Sequence, residues 1–413
     1  MGIFEKTAAE VVEAHKTKEG GADEERAASS ISRPIALLFA VASGLSVANI
    51  YYAQPLLDAL AGEFGLAHAS VGIVITVTQI CYALGLFLLV PLGDLLNRRK
   101  LIPGMMLLSV LALIVAGTAS SVAVLFAGLA AVGLLAVVTQ VLVAHASSLA
   151  PPERRGQIVG LVTSGVVIGI LLARTFAGAM TDAAGWRSVY LSSAALLLAA
   201  ACILLRVLPP ETRNKPALSY PQLLLSVLDL FVKERVLRIR AVLALLIFAS
   251  FSILWTSLVL PLSSPPLAMS HTAIGSFGLA GAAGAVAAAR AGRLADRGFG
   301  QKTSGVALAL LLLSWLAIGW MYHSLLALVV GILLLDMAVQ AVHVTNQSLI
   351  FNVRPEARNR LTAGYMIFYS IGSATGSIAS TSVYASFGWT GVCMLGAAVS
   401  AAALLFWACT RRL

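Results

Sequence analysis

The sequence predicts an all-α membrane protein: twelve transmembrane helices arranged as two pseudo-symmetric six-helix bundles. Three observations carry this expectation. The 413 residues are 59% hydrophobic and 11% charged, with a mean hydropathy of +0.92, whereas ordinary soluble domains carry about 25% charged residues. Apolar runs of roughly 20 residues, the length that crosses a hydrocarbon core about 30 Å thick, follow one another along the chain. Finally, residues of the first half recur in the second at a nearly constant spacing.

The runs fall at 34–57, 70–92, 101–119, 122–149, 156–181 and 188–208, then at 240–262, 271–291, 303–322, 325–350, 360–385 and 388–409. They are numbered spans 1 to 12. The expected organisation is a polar tail over 1–33, a first bundle over 34–208, a charged linker over 209–239 and a second bundle over 240–413. The tail has no apolar core of the kind a secretory signal needs, and reads as a cytoplasmic extension.

Net charge is +10, but the basic residues sit in small groups between apolar runs. A nucleic-acid face would gather them on one element, so no nucleic-acid partner is expected. Of the 28 Lys and Arg residues, 26 fall in the tail, the linker, the C-terminus or the turns after spans 2, 4, 8 and 10; only Arg174 and Arg187 lie elsewhere. Short cytoplasmic loops carry the positive excess, which puts both termini in the cytoplasm. Cys81, Cys202, Cys393 and Cys409 lie inside apolar runs without disulfide or metal-ligand spacing and read as small core residues. No metal or cofactor is expected.

The repeat is specific. Pro152, Glu153 and Arg155 recur as Pro355, Glu356 and Arg358, Gly185-Trp186 as Gly388-Trp389 and Gly169 as Gly372, all 203 residues on. After span 2 the chain reads V-P-L-G-D-L-L-N-R-R-K-L-I at 90–102, and after span 8 G-R-L-A-D-R-G-F-G-Q-K at 292–302, with Asp296 lying 202 residues after Asp94. A parallel repeat of six spans is the build of one major class of secondary transporter.

These turns resemble the signature of the major facilitator superfamily, G-x-x-x-D-R-x-G-R-R/K. Residues 292–297 fit its first part. The first copy departs from it, with Val90 for the first Gly, Leu95 for Arg and Asn97 for Gly, but keeps Asp94, Arg98, Arg99 and Lys100. The resemblance covers 34–409. Within the superfamily, N-I-Y-Y-A-Q-P-L-L at 49–57, P-P-E-R-R-G at 151–156 and G-I-L-L-A-R-T at 169–175 are similar to bacterial drug- or arabinose-efflux-like proton antiporters. Such proteins often carry Gly-Pro in span 5; this chain has no Pro there and carries Arg174 instead.

Asp94, Arg98, Arg99, Glu153, Asp296, Arg297 and Glu356 are the expected cytoplasmic latch, with topology and solvation alone as the other reading. Arg174 is the sharpest anomaly, because an Arg at mid-helix costs roughly 2.5 to 3.5 kcal/mol. It either snorkels toward the outer interface or pairs with Asp336, the acid deep within span 10. Burial favours a neutral carboxyl and a nearby cation favours a charged one, so a cation that comes and goes would make Asp336 a proton carrier. A static ion pair is the alternative.

Gln340, His343 and Gln347 follow Asp336 at helical spacing and should form one wet face. His343 is a second proton candidate, or a neutral hydrogen-bonded side chain. Gln140 and His145 occupy span 4, the counterpart of span 10. In the superfamily, spans 1, 4, 7 and 10 line the cavity. The resemblance therefore implies substrate contacts at Asn49, Tyr51, Tyr52, Gln54, Gln140, His145, Trp255, Gln340, Gln347, Tyr365 and Tyr369, with an interfacial aromatic belt open for Tyr51 and Tyr52. Pro55 should distort span 1. Gly300-Gln301-Lys302-Thr303 lacks the Gly a phosphate loop needs before Lys, so ion-gradient energy is expected.

The expectation is thus a secondary transporter, not an enzyme, acting as a monomer in the bacterial inner membrane among its lipids. It would export a small organic molecule against inward protons. Import of a sugar or organic anion is the alternative.

Overall fold

The computed structural model describes residues 33–151, 154–208, 219–281, 284, 287, 290–291, 293–351, 353–354 and 357–411. Among them the chain is helical, with no strand. The predicted tail, apart from Arg33, lies outside the described residues. Large apolar side chains such as Leu111, Leu316, Leu326 and Leu405 remain exposed on the helices, as expected where lipid rather than water is the neighbour.

Span 1 runs over Arg33–Ala48, turns, and resumes as a short 3-10 piece at Gln54–Leu56 and a helix at Leu57–Phe64. Pro55 lies in the first turn of the resumed piece, where its missing N–H costs least; the expected distortion is there. Span 7 also breaks, between Arg235–Ser257 and Val259–Ser263, at the position that the 203-residue spacing matches to Pro55.

The repeat recurs in the backbone. Gly185 (φ 79°, ψ 163°) separates span 5, Arg155–Ala184, from span 6, Trp186–Val207. Its counterpart Gly388 (φ 62°, ψ −159°) breaks spans 11 and 12 inside Arg358–Thr410. Side chains with a Cβ pay about 1–3 kcal/mol at such positive-φ, extended-ψ positions, which glycine alone adopts freely. The other repeated glycine is a point of close approach: a Cβ on Gly169 would lie 2.3 Å from the Gly44 carbonyl oxygen of span 1, and one on Gly372 2.1 Å from that of Leu245 in span 7. Helices in lipid gain stability by such close packing and by polar contacts. Trp315 Nε1 donates to Ser250 and Ser400 at 3.1 and 3.0 Å, joining spans 9, 7 and 12.

The linker carries structure of its own: Tyr220–Lys233 is a helix that buries Leu223, Val227 and Leu230, and Phe231 stacks on Phe368 of span 11 at 5.2 Å between centroids. The helix that holds span 7 begins ahead of the apolar run, at Arg235, and buries Arg240. At the end of the bundle away from the chain termini the halves meet. Thr76 of span 2 donates to Ala374 O at 2.9 Å, Thr381 of span 11 donates to Ala69 O at 3.2 Å, and Thr175 of span 5 donates to Gly275 O of span 8 at 3.1 Å.

Candidate transport site

Arg174 does not snorkel. Its side chain is buried in mid-bundle, with the residue 3% exposed, and its Nε donates to Gln54 Oε1 at 2.8 Å. Pro55 and the broken helix of span 1 bring Gln54 there. The guanidinium lies over the Trp255 indole, 3.9 Å from the ring centroid, with Tyr51 and Phe251 rings at 5.2 and 5.4 Å. Arg over an aromatic face gains about 0.5 to 2 kcal/mol, most when desolvated.

Asp336 is equally buried, 5% exposed, yet it makes no contact ion pair with Arg174. Trp255 connects them: its Nε1 donates to Asp336 Oδ1 at 3.1 Å, while its ring carries the guanidinium. The expected direct pair is therefore a relay through an indole. Gly281 makes room for it, since a Cβ there would lie 3.1 Å from Asp336 Oδ2. Arg174 Nη2 is buried without a hydrogen-bond partner. A small pocket beside it is lined by Gln54, Pro55, Arg174, Trp255, Leu258, Val259 and Ile274.

The cluster spans the two halves. Tyr51 of the first half bonds Tyr369 of the second through their hydroxyls, and Tyr369 packs edge-on against Phe248. His343 accepts from or donates to Tyr365 at 3.0 Å and meets the Phe248 ring at 5.2 Å. The span 10 stripe thus divides among neighbours: Asp336 and Gln340 border span 8 at Gly281 and Gly284, and His343 borders spans 7 and 11. Gln347 is half-buried toward the terminal end.

Of the other expected cavity residues, Asn49, Tyr52 and His145 have their described partners outside the Arg174 cluster. Ser193 of span 6 donates to Asn49 Oδ1 at 2.8 Å and lies 3.3 Å from the Tyr52 hydroxyl, so Asn49 and Tyr52 fasten the first half internally. Gln140 Nε2 reaches Tyr82 at 3.5 Å. His145 stacks on Phe39 at 5.8 Å, near the terminal end of span 4, away from mid-bundle.

Of the latch, the side chains of Asp94 and Asp296, and residues Glu153 and Glu356, lie outside the described residues. Arg98 is placed: its Nε donates to Gly93 O at 2.8 Å and its Nη1 to Ser148 at 3.0 Å, tying the turn to span 4. Asn97, which departs from the signature, caps span 3 by accepting from Arg99 N at 2.9 Å. Arg99 and Arg297 are exposed. Sequence reasoning missed Tyr82, Phe248, Phe251 and the buried Arg240, whose Nη1 reaches Asn346 at 3.4 Å.

The family model of the Major Facilitator Superfamily matches residues 38–302 and 241–413. The chain belongs to this superfamily. YgaY of Escherichia coli (strain K12), named as an uncharacterized transporter, is 48% identical over 377 residues, covering 91% of this chain and 95% of that one. SCO4007 of Streptomyces coelicolor, also named as a transporter, is 31% identical over 363 residues, covering 87% and 84%. A bacterial homolog of the human lysosomal transporter Spinster, solved in an inward-facing and occupied conformation, matches with TM-score 0.76 over 92% of this chain and 98% of that one at 15% identity. The human organic anion transporter MFSD10 matches with TM-score 0.66 over 91% and 100% at 17% identity. Both likenesses are of fold. The protein is an integral membrane transporter with the twelve-helix superfamily architecture.

Proposed function

We propose that the protein is a proton-coupled secondary transporter that exports a small organic molecule by rocking its two halves around the Arg174–Trp255–Asp336 cluster. The observation that carries this reading is a buried Arg and a buried Asp on opposite halves, each held by Trp255 and neither neutralised by direct contact. In a low-dielectric interior such charges attract strongly even without touching. A proton on Asp336 removes that attraction and changes the cluster's net charge by one, so its arrival and departure shift the balance between conformations. The tail, linker, C-terminus and turns that hold 26 of the 28 basic residues in the sequence are assigned to the cytoplasm, and the turns on the other side to the outside. The likeness of residues 49–57 and 169–175 to efflux-type antiporters supports export. The chain acts as a monomer in the bacterial inner membrane.

A second reading rests on Arg174 Nη2, which has a donor and no acceptor. An organic anion seated there would satisfy it and would arrive with a proton for Asp336, which gives symport. A substrate panel on everted vesicles, with and without a proton gradient, separates the two. Accumulation of a neutral or cationic substrate only when the vesicle interior is acid supports export. Saturable anion movement that is lost in Arg174→Gln supports the second reading, and transport indifferent to any gradient refutes both.

A further inference from the structure

At the end of the bundle opposite the termini, His271 is held between two carboxylates. Its Nδ1 lies 3.0 Å from Asp182 Oδ1 and its Nε2 3.1 Å from Asp58 Oδ1. The main-chain amides of His271 and Thr272 donate to the two oxygens of Asp182, at 3.1 and 2.7 Å. Asp58 lies in the resumed helix of span 1 and Asp182 ends span 5, both in the first half. His271 begins span 8, in the second half. Gly178 permits the approach, since a Cβ there would lie 2.1 Å from His271 O.

Ionised carboxylates only accept hydrogen bonds, and a neutral imidazole has one N–H donor. Two carboxylate partners at hydrogen-bond distance are both satisfied only by the imidazolium; after loss of the proton, one ring lone pair faces a carboxylate oxygen. We propose that His271 is a second proton site, an outer clasp that holds the two halves together at this mouth when protonated and releases them when the proton leaves. The proposal takes the family's alternating halves as given and does not depend on Asp336. In an exporter driven by inward protons, a proton arriving from outside would close the outer mouth after substrate has left, and so return the site to the inside.

Among the described residues the titratable groups bonded to the ring are Asp58 and Asp182 alone. Glu63 and Arg187, also at this end, pair with each other at 2.9 Å. Loss of the ring proton removes one of the two N–H donors that the carboxylates share, so the clasp is complete when the imidazole is charged and weakens as pH rises through the range in which histidine deprotonates. In that window one released proton shifts the open-to-closed ratio by up to about tenfold per pH unit.

The test uses the full chain in nanodiscs, with the four native cysteines replaced by serine and spin labels on Gly62→Cys and Phe387→Cys. These positions lie on the two halves at this end, with open space at Gly62 and an exposed side chain at Phe387. Pulsed electron-electron resonance distances should lengthen between pH 5.5 and 8.5. His271→Gln should abolish the response. His271→Arg, which keeps several donors and a fixed charge, should stay short throughout and shows that the mouth still assembles. Asp336→Asn should keep the pH response. Retention of the response in His271→Gln, or its loss in Asp336→Asn, overturns the proposal.

Discussion

Replacing Trp255 by phenylalanine removes the N–H that reaches Asp336 and leaves a ring face under Arg174. The lost contact is a buried hydrogen bond of 3.1 Å to a carboxylate, and such charged bonds contribute about 1.5 to 3 kcal/mol. If exchange passes through the state in which the indole joins the two charges, that loss lowers its population by about 10-fold to 150-fold. Trp255→Leu also forfeits the aromatic face 3.9 Å from the guanidinium, worth about 1 to 2 kcal/mol when desolvated, or a further fivefold to thirtyfold or so. The assay is initial gradient-driven transport in proteoliposomes, on material that runs as a single species by size exclusion. The expected order is wild type, then Phe, then Leu, with the first step the larger. A Phe variant within about twofold of wild type would reduce Trp255 to packing and refute the relay.

Other outcomes follow from the same structure. Gly388→Ala forces a Cβ into φ 62°, ψ −159° and should cost about 1 to 3 kcal/mol, seen as a lower thermal midpoint in detergent with substrate affinity unchanged; Gly185→Ala should behave alike, because the halves repeat. Asp94→Asn should slow exchange while leaving substrate affinity intact if the turn after span 2 is a latch; unchanged turnover would leave it a topology signal only. Ser193→Ala should lower stability by about 1 to 3 kcal/mol without shifting substrate specificity, since it strands Asn49 and Tyr52 inside the first half rather than in the cavity.

Much of the fold was readable because lipid imposes simple rules: helices of fixed length, cations on one side, and glycine where backbones touch. The repeat singles out Gly169, Gly185, Gly372 and Gly388 in the sequence, and each is a close contact or a positive-φ turn. Arg174 and Asp336 stood out because charge in an apolar run is costly. Their connection did not, since an aromatic such as Trp255 is unremarkable among apolar neighbours and sequence does not tell which ring edge finds a carboxylate. The Ser193 partners of Asn49 and Tyr52 were hidden for a related reason: the turn at 49–53 breaks the helical periodicity that would assign them a face. His271 was invisible because a polar residue at a span boundary is ordinary, and its partners lie 89 and 213 residues away. The linker helix carried its apolar spacing in plain view at Leu223, Val227 and Leu230, masked by flanking charge.

The most direct test of proton coupling is Asp336→Asn in proteoliposomes, with internal pH and substrate followed together. Asparagine keeps the size and can still accept from Trp255, but carries no proton. The mechanism requires that substrate-linked proton flux disappear and that uphill transport stop, while downhill exchange of substrate continues. Full gradient-driven accumulation with unchanged proton flux would contradict it.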